Sequence, residues 1–174
     1  MDKPDEAVKA YEAVIAERPT DVPAHQNLIA LLLRQNKLDV AQTKVGEMRK
    51  ALGNHPLAIY LQAYVNLRSE KTNEAYEGLQ QVLRIAPDYI PAQLLVSTLQ
   101  LQRQEFVQAQ ENLKKVIERV PSMQFARRLL VSAYIGTREP ARALEALQPL
   151  IKERVEDVVL LNLAGQVYAM NGDF

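Results

Sequence analysis

Alanines at positions 7, 41, 75, 109 and 143 stand 34 residues apart along the whole chain. Pro19, Pro87 and Pro121 keep the same step, with Gly53 and Val155 in the two intervening slots. Four residues after each alanine come Tyr11, Val45, Leu79, Leu113 and Leu147, and seven after it Val14, Met48, Val82, Val116 and Leu150. A second series, Ala24, Ala58, Ala92, Ala126 and Leu160, is followed seven residues later by Leu31, Val65, Leu99, Ala133 and Val167. So many columns in phase, without one insertion or deletion, mean repeated units that bury their apolar faces against their neighbours. Length then stops being a guide to domain number, because 174 residues are five periods of 34 plus four.

Within each period apolar residues recur at i, i+3 or i+4 and i+7, as in Ala92, Leu95, Val96 and Leu99. That is the spacing of one face of a helix, and no stretch alternates with period two over strand length. The pattern predicts an all-α chain of about ten helices, two per repeat. First helices are expected over 22–35, 56–69, 90–103, 124–137 and 158–171. Second helices are expected over 5–18, 38–52, 72–86, 106–120 and 140–154. Prolines fall where helices should start (Pro56, Pro91, Pro140) or have just ended (Pro19, Pro87, Pro121). Pro149 is the misfit: it lies inside 140–154 and predicts a kink.

Composition narrows the function classes. Lys and Arg number 21 and Asp and Glu number 21, and no run of five or six like charges exists. Affinity built on neutralising phosphates is therefore not expected, and no nucleic-acid partner is assigned. The absence of cysteine removes disulfides, thiolate metal sites and cysteine nucleophiles. The longest apolar run, Leu28 to Leu33, has six residues, far short of the ~20 of a membrane-spanning helix, so no membrane span is expected in this segment. His25 and His55 belong to no metal-binding His pair. The first reads as a packed ring and the second as a loop residue. Ser69, Ser97, Ser122 and Ser132 lack a nucleophile elbow, and six glycines form no phosphate loop. The expectation is a non-enzymatic protein with no catalytic residue, metal or cofactor.

These columns resemble the tetratricopeptide repeat. Its pattern runs from an early aromatic or leucine through a leucine and small residue, a tyrosine, an alanine and an aromatic to a closing proline. The last repeat is the nearest match, with Ala164-Gly165, Tyr168 and Gly172-Asp173-Phe174. Ile29 and Val131 in the small-residue slot, Asn66 and Gln100 in the tyrosine slot, and Gly53 and Val155 in the proline slot depart from it and are expected to loosen those joints. The resemblance implies a right-handed α-solenoid of antiparallel helix pairs. As one array it divides into a half repeat (1–21), full repeats at 22–55, 56–89, 90–123 and 124–157, and a half repeat at 158–174.

The resemblance also implies that columns 2, 5, 9, 12 and 13 of each period line a concave groove. From these the candidate partner-binding residues are Gln26, Arg34, Tyr60, Tyr64, Arg68, Leu94, Thr98 and Arg128. Tyr60, Tyr64 and Arg68 fall at i, i+4 and i+8 of one helix, and Arg34 shares the column of Arg68 one repeat earlier. Tyrosine and arginine are frequent interface hot spots. Either these tyrosines line the groove or they pack between helices, and the sequence leaves both open. The Lys and Asn pattern of a chaperone-tail clamp is missing. The groove suits an extended peptide or short helix, held by apolar pockets and by arginine contacts to carboxylates or carbonyls. Tyrosine faces also stack on sugar rings, so carbohydrate binding or assembly in polysaccharide export stands as the alternative function.

Three phrases, Ala51 to Ala58, Ile85 to Ala92 and Arg142 to Leu150, resemble a narrower bacterial group. These are tetratricopeptide lipoproteins associated with exosortase (PEP-CTERM) protein sorting and exopolysaccharide loci. That likeness implies an exported, lipid-anchored parent in the cell envelope. The half repeats at both ends read as a segment of a longer array. Leu160, Leu163, Ala164 and Val167 are expected to lie uncovered on the final helix, inviting end-to-end self-association.

Overall fold

The computed structural model describes residues 3–152 and 157–172, with side chains from Asp5 onward. Among these residues ten helices follow one another: α1 (Lys3–Glu17), α2 (Val22–Arg34), α3 (Leu38–Leu52), α4 (Pro56–Arg68), α5 (Thr72–Ile85), α6 (Ile90–Gln102), α7 (Phe106–Arg119), α8 (Gln124–Gly136), α9 (Pro140–Lys152) and α10 (Val158–Asn171). The end of the expected helix 140–154, Val155 and the turn residues Asp173 and Phe174 lie outside the described residues. The helices group into two compact units, Met1–Pro87 and Asp88–Phe174.

Helix starts follow local chemistry. Pro56, Pro23 and Pro91 sit in first turns, where a missing N–H has no intrahelical partner to lose. Asp21 Oδ1 accepts from the Ala24 N–H at 2.9 Å, and Asp157 Oδ1 from the Val159 N–H at 2.8 Å. His55 is more than a loop residue: its Nδ1 accepts from the Leu57 N–H at 3.3 Å and caps α4. α9 runs through Pro149 to Lys152.

The turn from each first helix to its second helix repeats as faithfully as the helices. Asn36, Glu70, Gln104 and Arg138, 34 residues apart, have φ between 56° and 63°, and Gly172 continues the series at 78°. In the first four turns the following residue's N–H reaches back five residues, as Lys37 does to the Leu32 carbonyl at 2.9 Å. This is the Schellman closure, which normally takes glycine at the left-handed position. Gly53, in the closing-proline slot, has φ 59° and ψ −126°, a conformation suited to glycine.

The repeated columns form the cores. In the first unit Ala41, Val45, Met48, Ala58 and Val65 are buried with Leu28, Ile29 and Leu32. In the second unit Ala109, Leu113, Val116, Ala126, Ala133, Ala143 and Leu147 play the same part. Ile29 and Val131, the oversized residues of the small-residue slot, are fully buried. Where the slot holds alanine the helices come close: a Cβ built on Gly78 of α5 would lie 3.1 Å from the Ala63 Cβ of α4.

The last helix corrects one expectation. Leu160, Leu163 and Val167 are buried in the second unit's core beside α8 and α9 residues, with Ala164 packed against it. The uncovered face carries Val158, Leu161, Gly165 and Tyr168 instead. Columns 3, 6 and 10 of a first helix look back toward the preceding helices. Columns 1, 4, 8 and 11 look toward the helix that follows.

Candidate functional site

α2 and α4, the first helices of two successive repeats, build a cleft of about 480 Å³ in the first unit. Its walls are Ala30, Leu33 and Arg34 from α2 and Tyr60, Leu61, Tyr64 and Arg68 from α4. The 3.6-residue period sets one α4 residue above the next, and the Tyr60 and Tyr64 rings stack with centroids 6.3 Å apart and planes 24° apart. Both rings are half-buried and also pack against the first unit's core. The two roles the sequence left open are therefore not exclusive: one face of each ring supports the fold while the cleft is lined by the other surface.

Arg34 and Arg68 close helix C-termini, where a cation meets the negative end of the helix dipole. Both are exposed, so neither charge has been desolvated by folding. Arg68 Nη2 donates to Asn36 Oδ1 at 3.2 Å, which steadies the guanidinium over the cleft. Asn36 sits at the left-handed turn position, a conformation its short side chain tolerates. No carboxylate lines the cleft. The site is thus an apolar, aromatic floor with two cations at its edge.

Of the eight candidate residues, Arg34, Tyr60, Tyr64 and Arg68 come together here. Gln26 is exposed on α2 but does not line the cleft. The remaining three belong to the second unit. Leu94 packs against that unit's core, and the Thr98 hydroxyl donates to the Leu94 carbonyl at 2.9 Å, within α6. Arg128 is engaged in an ion pair with Asp157, the residue that caps α10. Its role is to hold a helix start, where a partner contact had been expected. Sequence reasoning missed Leu61 and Asn36. Leu61 falls outside the five groove columns, and Asn36 is visible only as an Asn at the recurring left-handed turn.

The other polar clusters are structural. His25 is buried and its Nε2–H donates to the Pro19 carbonyl at 2.8 Å. One column later in the array the same geometry recurs as Arg127 Nη2 donating to the Pro121 carbonyl at 3.0 Å. The Thr137 hydroxyl donates to Glu139 Oε1 at 2.7 Å and Gln110 Nε2 donates to the same oxygen at 3.1 Å. Among the described residues no cluster of three His, Asp or Glu side chains could hold a metal ion, and no helix is long and apolar enough to cross a membrane.

Two carboxylates of the second unit carry a pH dependence. Asp157 is held below its ordinary 3.8 by the Val159 N–H, against a smaller opposing effect of burial, with the Arg128 guanidinium adding to the lowering. Glu139 is held below 4.5 by the hydrogen bonds from Thr137 and Gln110, again partly opposed by burial, and by Arg142. A carboxylate whose folded pKa is depressed contributes stability that is present above its unfolded pKa and is lost as pH falls through the folded value. The urea midpoint should therefore hold level from neutral pH to about pH 5 and drop below it. In Asp157→Asn, which keeps a capping oxygen but no charge, that acid drop should be shallower. A midpoint as pH-dependent as the wild type's would remove Asp157 from this account.

No family model matches the chain. Residues of human tetratricopeptide repeat protein 21A are 33% identical over 84 positions, covering 48% of this chain and 6% of that protein. Among solved structures, YrrB, described as a TPR protein with an unusual peptide-binding site, superposes with a TM-score of 0.81 at 18% identity, over 95% of this chain and 86% of that one. MamA from Desulfovibrio magneticus RS-1 gives 0.77 at 20% identity, over 86% and 84%. A tetratricopeptide repeat protein from Parabacteroides merdae gives 0.75 at 18% identity, over 98% and 68%. At such identities the likeness speaks for the fold. Repeat period, buried columns and helix-pair architecture agree with it, and the chain is a tetratricopeptide-repeat protein.

Proposed function

We propose that this chain is a non-enzymatic interaction scaffold whose first-unit cleft binds a peptide or short helix bearing an apolar side chain next to a carboxylate. The observation that carries the reading is the Tyr60–Tyr64 stack, flanked by Arg34 and Arg68 with no acidic side chain lining the cleft. Stacked tyrosines offer a rigid apolar platform at low conformational cost, and guanidiniums recognise carboxylates through paired hydrogen bonds. A solved structure of similar fold, YrrB, is described as having a peptide-binding site, which supports the same use of this architecture. The three phrases that resemble exosortase-associated lipoproteins are what support an envelope setting for the scaffold.

The test is a fluorescence titration against a synthetic peptide library in which acidic, neutral and basic residues alternate with aromatic ones. Acidic-aromatic peptides should bind, and Arg34→Ala combined with Arg68→Ala should weaken them by roughly tenfold or more, since a hot-spot arginine contributes about 2 kcal/mol. Both arginines are exposed, so this pair should leave the melting temperature within a degree or two. Tyr64→Ala should weaken binding as well, with some loss of stability because the ring packs on the core. Equal binding of acidic and basic peptides, or no response to the arginine pair, would sink the reading. Calorimetric heat with oligosaccharides, in the absence of peptide binding, would replace it with glycan stacking on the tyrosines.

A further inference from the structure

The two ends of the described chain are complementary. In every earlier repeat, the face of the first helix made by columns 4, 8 and 11 is covered by the second helix that follows. Column 8 meets column 23 where Ala63 approaches Gly78, and column 11 meets it where Asn112 Nδ2 donates to Gln100 Oε1 at 3.1 Å. Burial follows: His25, Ile59 and Gln93 in column 4 are 2%, 1% and 1% exposed, whereas Leu161 on α10 is 66% exposed. Gly165 and Tyr168, the column 8 and column 11 residues of α10, are exposed too. No second helix covers them among the described residues.

α1 shows the reverse. It is a second helix with no first helix before it. Ala41, Ala75, Ala109 and Ala143 are fully buried, and so are Val45, Leu79, Leu113 and Leu147, but their equivalents Ala7 and Tyr11 are partly exposed. Ala10, the column 23 residue of α1, is exposed. The helix thus presents to solvent the stripe that α5 turns toward α4.

We infer that α1 of a second copy of this chain docks on the α10 face, antiparallel and in the 34-residue register, so that copies add head to tail. Ala10 of one copy then meets Gly165 of the next as Gly78 meets Ala63. The stripe is chemically suited to this: α10 carries no charged side chain to desolvate, and a Cβ added at Gly165 meets nothing within 4 Å in the chain itself. Such a contact uses two different surfaces and leaves a free end on each side, so growth is open-ended and dilution reverses it.

The chain has no cysteine, which makes the test direct. By the Ala63–Gly78 template, thiols introduced by Ala10→Cys and Gly165→Cys stand with Cβ atoms about 3.1 Å apart, within a small adjustment of the ~3.5–4.5 Å of a disulfide. Mixing the two single variants under mild oxidation should give the mixed disulfide in several-fold excess over either homodimer. Sedimentation of the unmodified chain should show a mass that rises with concentration, and Leu161→Glu should return it to monomer without unfolding it. A mass fixed at one chain at every concentration would overturn the inference. So would homodimers formed as readily as the mixed species, which would indicate a two-fold α10 contact or random collision.

Discussion

Gly136→Ala should destabilise the second unit by about 1–3 kcal/mol, the range for forcing extra volume into a packed site. Gly136 ends α8 against α7, and an added Cβ would stand 2.4 Å from Phe106 Cδ1, 2.5 Å from Cε1 and 2.6 Å from Cγ. Three atoms of one ring edge meet the methyl, so no small rotation clears it and the ring must leave its place. The expectation is the reverse of what helix propensity alone would give, since Ala is favoured over Gly by about 1 kcal/mol in a helix interior. Gly165→Ala isolates that propensity. Nothing lies within 4 Å of its added Cβ, so it should stabilise by about 0.5–1 kcal/mol. Phe106→Ala supplies the other control. In that background Gly136→Ala has nothing to strike, and its effect should turn neutral or favourable. Urea denaturation of the four proteins in the cycle gives the coupling between positions 106 and 136, expected at about 2 kcal/mol. A coupling near zero would mean that the ring is free to move and that the close approach is not part of the packing.

The helices were legible because periodicity and punctuation agree. Apolar columns at 3.6-residue spacing, prolines in first turns and a capping Asp or His place every described helix end within two residues of where the sequence reading puts it. The cleft was legible for a narrower reason: four of its residues lie on columns that share one face, so a column-by-column reading brings them together. What could not be read was anything set by pairs of columns or by loops. Arg128 looks like Gln26 or Tyr60 on its column, but its carboxylate partner Asp157 is 29 residues away, in a loop that no repeat column predicts. The open face of α10 was misassigned for a related reason. Hydrophobic periodicity identifies which residues are apolar, and α10 is apolar almost all round, so it cannot say which side meets α8 and α9. The left-handed turn series was invisible because Asn36, Glu70, Gln104 and Arg138 share a backbone conformation and no chemistry.

That turn series bears on the array's construction. A non-glycine residue in the left-handed region is uncommon, and here four occur at one column. Each is held by the pair of backbone hydrogen bonds that closes the preceding helix, so the geometry is imposed by the helix pair and tolerated by the side chain. Regularity in this chain is therefore carried by backbone and core columns together, which leaves the groove columns free to differ from repeat to repeat. Gln26, Tyr60, Leu94 and Arg128 occupy one column and do four different things.

Pro149→Ala should stabilise the chain by about 1–2 kcal/mol. Proline inside a helix removes the hydrogen bond to the carbonyl four residues earlier and crowds that carbonyl, which costs ~3 kcal/mol in a helix interior. Here the carbonyl is that of Glu145, and α9 nevertheless continues from Pro149 to Lys152. Alanine restores the donor and relieves the crowding, while the more flexible unfolded chain takes back about 0.4–1 kcal/mol. The gain is specific in place as well as sign. Hydrogen exchange should show new protection at residue 149 and slower exchange through the last turn of α9, with α8 unchanged. Pro149 is half-buried and lines a small cleft with Leu130, Tyr134 and Ala146. If its ring fills space there, alanine forfeits that contact, and Pro149→Leu should then outperform Pro149→Ala. Loss of stability in both variants would show that the α9 path depends on the proline itself, because neither a restored hydrogen bond nor restored volume could replace it.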